Sequence, residues 1–320
     1  MSEQRSVAVV AAMCANLGVA AAKFIAFAVT GSAAMLAEGL HSVADTSNQA
    51  LLMLGQERSR KAPTQMHPFG YGPERYFWAF LVAVLLFTGG SMFSLYEGYQ
   101  KVVAPHTLGN LRWAFGVLVV AMVFEGFSLR TAVREANAER TGSWWRYIRG
   151  TRTPETAVVL LEDTAAETGL LVALVGLGLA VVTGNPVFDA FASIGIGLVL
   201  GVVAVILAVE MKSLLIGESA RQEDLDVIRE VASSHSRFEE LLDLRTMHLG
   251  PNDLLVAMKV ELDDALHSDE VAYAIDEIKA RIQDRIPAAR AVYIEAEERA
   301  QGEPVADTEE SRRAPFGSDE

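Results

Sequence analysis

Long apolar runs separated by short polar stretches fill the chain up to about residue 216, and beyond that point the pattern shortens. Six runs stand out, at about 6–29, 31–55, 76–98, 112–130, 156–182 and 187–213. A helix needs about 20 mostly apolar residues to cross the hydrocarbon core, so each run predicts a membrane span. The third opens on Tyr76, Phe77 and Trp78, aromatic residues suited to a membrane interface. The last two are joined by the tight turn Thr183-Gly184-Asn185-Pro186. After Gly217 the period changes. Residues 222–234 have helical spacing (Leu225, Ile228, Val231), then LLDLRTMHL alternates as a strand, GPND turns the chain, and LLVAMKVEL alternates again. A helix over about 268–286 is stopped by Pro287, and AVYIEAE closes as a strand. The order αββαβ suits a small sheet with helices on one face. From Arg299 onward the chain is polar, acidic and Pro- and Gly-bearing, a composition that predicts disorder. The expected organisation is a six-helix membrane domain over 1–216, an α+β domain over 217–298 and a tail over 299–320.

Two of the apolar runs carry acids where a span should carry none. In GSAAMLAEGLHSVADTSNQALLMLG, Gly31 to Gly55, His41 and Asp45 lie four apart, and in VVLLEDTAAETGLLVALVGLG so do Asp163 and Glu167. Residues at i and i+4 share one face of a helix. Holding an Asp at bilayer depth costs at least about 2.5–3.5 kcal/mol, so such residues mark function rather than packing. Two spans that each bring such a pair to similar depth predict one four-ligand cation site between them. Other polar groups read as structural. Glu38, one turn before His41, is a candidate support for that imidazole, as ligating histidines need. Glu162 points about 100° away from Asp163 and is expected to contact another span. Asp189 suits a helix-terminal role beside Pro186. Glu125 reads either as a packing partner for Asn16 or Lys23 or as part of a proton route. Lys23 is expected to snorkel to an interface, and Asn16 to bond a neighbouring helix.

Charge sharpens the division. Residues 1–216 hold 15 acidic and 15 basic residues, whereas 217–320 hold 26 acidic against 12 basic, the whole of the net −14. The acidic part argues against nucleic-acid binding. Cys14 is the single cysteine, so no disulfide framework and no CxxC metal site is expected. The start, MSEQRS, carries no cleavage pattern, and no removable signal or transit peptide is read. Arg58, Arg60, Lys61 and Arg75 follow the second run, and Arg134, Arg140, Arg146, Arg149 and Arg152 follow the fourth; the opposite loops offer Lys101 and Arg112. Basic loops face the cytoplasm or its topological equivalent. Both termini therefore belong on that side of what is expected to be the cell (inner) membrane. The run Ser143-Trp144-Trp145-Arg146-Tyr147-Ile148-Arg149 reads either as an amphipathic piece on the membrane surface or as ordinary loop.

Taken together, GSAAMLAEGLHSVAD, HPFGYGPERY, LLEDTAAETG, FDAFASIGIGLVLG and the αββαβ region with DLRTMHLGP resemble the cation diffusion facilitators, a family of divalent-metal/proton antiporters. The run WWRYIRGTRTPETAVVLLED is similar to the branch containing the ninth animal zinc transporter. The resemblance covers residues 6–298 and implies a ferredoxin-like cytoplasmic domain that dimerises. It implies a transport site with two ligands from span two and two from span five, here His41, Asp45, Asp163 and Glu167. Many members keep a histidine in span five; this chain has its site histidine in span two. A second loop site in some members uses histidines at the positions of His67 and Tyr71, and a two-metal cluster in the soluble domain uses positions that here hold Leu242, Lys259 and Glu295. Neither is expected in this chain, and His235, His248 and His267 read as surface histidines.

One nitrogen and three carboxylates suit a tetrahedral Zn²⁺, while the oxygen excess leaves Mn²⁺ or Fe²⁺ open. Ligands must be deprotonated to bind metal, so protons compete for the same groups and an inward proton gradient can drive metal outward. No Walker A loop is present, which points to an ion gradient rather than ATP. The expectation is a metal/proton exporter with no permanently bound cofactor, acting as a homodimer in a lipid bilayer. Two other classes compete. An intramembrane metalloenzyme lacks HExxH, and four protein ligands leave no open position for water. A membrane-anchored scaffold leaves the paired ligands unexplained.

Overall fold

The computed structural model describes residues 17–104, 111–140 and 142–297, and the expectations about Cys14, Asn16 and the 299–320 tail lie outside them. The chain divides into two compact units, Met1–Leu215 and Ile216–Glu320.

The first unit is helical. Its described elements are α1 (Leu17–Thr30), α2 (Ala33–Ser59), α3 (Glu74–Val103), α4 (Leu111–Glu139), the short α5 (Trp144–Gly150), α6 (Pro154–Thr183) and α7 (Val187–Ile216). Four of these, α3, α4, α6 and α7, are long and apolar enough to cross a membrane. α2 is long enough, but the polar residues on its inner face dilute its apolarity. α1 turns into α2 at Gly31, whose φ of 69° is the left-handed conformation that glycine takes without strain. Lys101 Nζ donates to the Gly31 carbonyl at 2.6 Å and so satisfies a carbonyl at the end of α1. Ser32 then caps α2, accepting from the Met35 amide at 3.3 Å.

α3 is not a plain α-helix. Leu86–Met92 forms a π-helical stretch of 7 residues, which the apolar pattern did not signal. Within it Ser91 Oγ donates to the Gly197 carbonyl of α7 at 2.7 Å. The two helices touch closely there: a Cβ on Gly98 would lie 2.8 Å from the Ala190 carbonyl oxygen, and one on Gly197 would lie 2.9 Å from the Leu95 amide. Tyr76 is fully buried, so the expected aromatic belt loses one member, while Phe77 stays half-exposed. α4 runs nine residues past the expected end at 130, and its last turns with α5 and α6 form a small cluster of Ala132, Ala136, Tyr147 and Leu160. α5 is a helix capped by Ser143, with Trp145 exposed and Tyr147 buried. The segment is thus helical rather than ordinary loop.

The second unit has the expected order: α8 (Gln222–Ser233), β1 (Phe238–Gly250), β2 (Asp253–Leu262), α9 (Ser268–Arg285) and β3 (Ala291–Ala296). The sheet order is β1-β2-β3, with β1 and β2 antiparallel and β2 and β3 parallel. On β2 the residues Leu254, Val256, Met258, Val260 and Leu262 are buried and their neighbours are not. That alternation presses one face onto Ile228 and Val231 of α8 and Ala274, Ile278 and Ile282 of α9. Two histidines depart from the surface reading: His235 and His248 are buried, while His267 is exposed and caps α9.

Candidate metal centre

α2 and α6 run past each other in opposite directions, and two contacts fix their register. Asn48 Nδ2 donates to Glu162 Oε1 at 2.7 Å. At the other end Glu38 Oε1 lies 2.5 Å from the point where a Cβ on Gly169 would stand, so only a glycine leaves room for that carboxylate. Between these contacts α2 carries His41 and Asp45, and α6 carries Asp163 and Glu167. The two sequence-predicted pairs are thus bracketed in one stretch of one helix–helix interface.

Their local geometry differs. His41 is fully buried, and its Nδ1 lies 3.5 Å from Asp45 Oδ1, the i,i+4 proximity that the spacing predicts. Asp163 is buried and accepts a hydrogen bond from Ser128 of α4 at 2.7 Å. Glu167 is half-buried, with its Oε2 shielded from solvent. Both ring nitrogens of His41, Asp45 Oδ1 and Glu167 Oε2 are buried without a hydrogen-bond partner. Leaving such atoms unpaired costs about 1–3 kcal/mol each, which a bound cation relieves. Among the described residues, no three His, Cys, Asp or Glu side chains stand close enough to hold a metal ion as they are.

The surrounding charges converge on the same place. Asp45 feels the charges of Glu162, Glu125, Asp163 and Lys23, and Glu167 feels Glu125 and Lys23. Lys23 does not snorkel. It is fully buried, donates to Ser42 Oγ at 2.7 Å and to Glu38 Oε2 at 3.2 Å, and lies 3.7 Å from Glu125 Oε1. The snorkelling expectation fails because these partners lie inside the bundle, where an ammonium finds three oxygens without reaching for water. Glu125 is therefore a partner of Lys23, as one of its two readings held, and Glu162 does contact another span. Glu38 binds Lys23 and makes no hydrogen bond to His41. Asp189, in the first turn of α7, accepts from Ser32 Oγ at 2.5 Å and ties the start of α2 to α7.

Sequence reasoning missed Asn48, Ser42 and Ser128. A signal existed for each. Asn48 and Ser42 continue the polar stripe of α2 through 38, 41 and 45, and Ser128 stands one turn after Glu125 on α4.

Residues 9–216 match the Cation efflux transmembrane domain, and residues 220–299 match the Cation efflux protein, cytoplasmic domain. The Homo sapiens protein "Proton-coupled zinc antiporter SLC30A9, mitochondrial" is 35% identical over 244 residues, which is 75% of this chain and 43% of that protein. "Metal tolerance protein C4" of Arabidopsis thaliana is 34% identical over 259 residues, 80% of this chain and 56% of that one. "Magnetosome protein MamB" of Magnetospirillum gryphiswaldense is 25% identical over 267 residues, 83% of this chain and 84% of the relative. The chain thus spans about half the length of the first two relatives. Among solved structures, the nickel form of a MamM CTD variant aligns with a TM-score of 0.24 and 18% identity, covering 25% of this chain and 100% of that one.

Proposed function

The chain belongs to the cation efflux family, a family of multi-pass membrane transporters and not of enzymes, and on that premise we propose that it exports a divalent transition metal, Zn²⁺ first, in exchange for protons. His41, Asp45, Asp163 and Glu167 are the ligands in this reading. The observation that carries it is the bracketing of both pairs between the Asn48–Glu162 and Glu38–Gly169 contacts, with orphaned ligand atoms on both helices. The likeness to the human relative, a proton-coupled zinc antiporter, supports both the metal and the coupling.

The chemistry follows from the groups. Three of the four ligands are acids and one is an imidazole, so metal and protons bind the same atoms and exclude each other. Metal leaves when protons arrive from the far side, and the gradient sets the direction. Residues 1–216 form the transport domain, residues 217–298 are a cytoplasmic dimerisation domain, and 299–320 form an acidic tail; both termini face the cytoplasm or the equivalent compartment. The membrane is the cell membrane in this reading, and the mitochondrial label of the human relative makes the organelle membrane the alternative to test.

The test is uptake of Zn²⁺ and Mn²⁺ together into proteoliposomes across about pH 6 to 8, where an unperturbed histidine titrates. Asp45→Ala should abolish uptake. His41→Asp keeps four ligands but removes the nitrogen, so Mn²⁺ should gain on Zn²⁺ and the pH profile should move. An unchanged metal ratio and an unchanged profile in His41→Asp would remove His41 from the site.

A further inference from the structure

Two carboxylates next to the proposed site are not among its ligands. Glu38 stands one helical turn before His41 on α2. It is fully buried, and its Oε1 has no hydrogen-bond partner. Glu125 stands one turn before Ser128 on α4, the residue that donates to Asp163. Its charge reaches Asp45, Asp163, Glu167 and Glu38. A divalent ion between the two ligand pairs would therefore have two further anions within a turn of it, besides Glu162, which Asn48 holds. Carboxylates in a low-dielectric interior do not stay uncompensated, and a metal ion is the strongest compensation on offer. Something must hold them off.

We infer that Lys23 is a specificity-determining residue: its buried ammonium engages Glu38 and Glu125 and keeps both out of the coordination sphere of the transported ion. The geometry is specific. One ammonium from α1 reaches Glu38 Oε2 at 3.2 Å and Glu125 Oε1 at 3.7 Å, and Ser42 Oγ at 2.7 Å takes its third donor direction. Ser42 neighbours His41 in sequence, so the lysine is held beside the site without being a ligand. Glu38 is confined from the other side by Gly169 of α6. With both acids engaged, the ion is left one nitrogen and three carboxylates, a set that suits four-coordinate Zn²⁺. With either acid free, the oxygen count rises toward the higher coordination that Mn²⁺ prefers.

This inference rests on the four-residue site proposed above, and the experiment separates the two. Full-length protein in proteoliposomes takes up Zn²⁺ and Mn²⁺ in competition at one pH. Lys23→Met should raise the Mn²⁺-to-Zn²⁺ ratio by about tenfold, the change that one added ligand preference of modest strength sets. Lys23→Met/Glu38→Gln/Glu125→Gln should return toward the wild-type ratio although the lysine is still missing. That rescue is a readout a packing role would not produce. Where Lys23→Met alone does not insert, Lys23→Gln removes the charge but keeps a polar side chain, and is read the same way. A folded Lys23→Met or Lys23→Gln with the wild-type ratio, or a triple variant as altered as Lys23→Met, overturns the inference. Asp45→Ala is the control. Wild-type Zn²⁺ uptake by Asp45→Ala would overturn the site itself, whereas its loss beside an unchanged Lys23→Met ratio overturns only the role of Lys23.

Discussion

Gly169→Ala and Gly178→Ala place the same methyl group on the same helix, and the structure assigns them opposite signs. At Gly178 a Cβ meets nothing within 4 Å. The substitution there should stabilise the helix slightly, by about 0.5–1 kcal/mol, because alanine loses less backbone freedom than glycine. At Gly169 a Cβ would stand 2.5 Å from Glu38 Oε1, with Glu38 Cδ at 3.6 Å and Ile196 Cγ2 at 3.7 Å. The carboxylate must withdraw by about 0.9 Å or more to restore an ordinary contact. It cannot do so freely, since its other oxygen is bonded to Lys23 at 3.2 Å in a site closed to water. Either that charge-assisted bond lengthens, at about 1.5–3 kcal/mol, or α2 and α6 part. After the gain in helix propensity the net loss is about 1–2 kcal/mol, so the two variants differ by about 2–3 kcal/mol. Thermal unfolding of the purified chain should separate their midpoints by several degrees, at about 2–4 °C per kcal/mol for a unit of this size. Zn²⁺ uptake should fall in Gly169→Ala, two residues from Glu167, and stay at the wild-type level in Gly178→Ala. Equal midpoints for the two variants would mean that Glu38 is not confined between Lys23 and α6, and the register drawn for the site would be wrong.

Ser32→Ala removes both the cap of α2 and the donor to Asp189; a loss of about 1–2 kcal/mol is expected, read as a lower melting midpoint, and no change would show that α2 is anchored elsewhere. Lys259 is bonded to Glu297 at 2.7 Å, with Glu295 beside it, and this raises its pKa above the usual lysine value of 10.5. A raised lysine stabilises the fold fully below its unfolded pKa and loses that contribution as pH climbs through the folded one. The urea midpoint difference between wild type and Lys259→Met should therefore be flat between about pH 6 and 9 and shrink only above the ordinary lysine range; a slope within that window would refute the pairing. Residues 217–298 expressed alone should melt at the same temperature with and without Zn²⁺, because the described residues gather no metal cluster there, and a stoichiometric rise would show a site that this geometry does not hold.

The residues that were legible in the sequence are those whose burial has no cheap explanation. His41, Asp45, Asp163 and Glu167 stood out because acids at bilayer depth are costly and their spacing is helical. The αββαβ unit was legible from alternation alone, and β2 follows it residue by residue. Lys23 was misread for a physical reason. A lysine in an apolar run either snorkels or pairs, and the choice depends on whether acids from other helices face it, which Glu38 and Glu125 do here. The π stretch at Leu86–Met92 was illegible for the same kind of reason, since it accompanies a hydroxyl-to-carbonyl bond between Ser91 and Gly197 that joins distant parts of the chain. Tyr76 turned inward although Phe77 beside it stays exposed.

The partners of the site acids bear on how an ion could leave. Asp163 is held by Ser128, Glu162 by Asn48 and Glu38 by Lys23, so three of the carboxylates on or beside the site have a hydrogen-bond donor outside the ligand set. Three different helices supply those donors: α4, α2 and α1. An empty site is therefore not a cluster of bare anions that must wait for a cation. Part of its charge is already compensated, while the buried unpartnered atoms on His41, Asp45 and Glu167 are not. In the proposed exchange, metal or protons complete those atoms and neither has to break the outer bonds to do so. That arrangement lets metal and protons trade places in the proposed exchange without rebuilding the outer bonds. It also makes the outer donors the positions where coupling can be lost without loss of binding. Ser128→Ala should on this reasoning still bind Zn²⁺ while the pH profile of its uptake moves, because Asp163 loses a donor that stands outside the ligand set. Uptake by Ser128→Ala with the wild-type pH profile would show that the outer bonds do not set the balance.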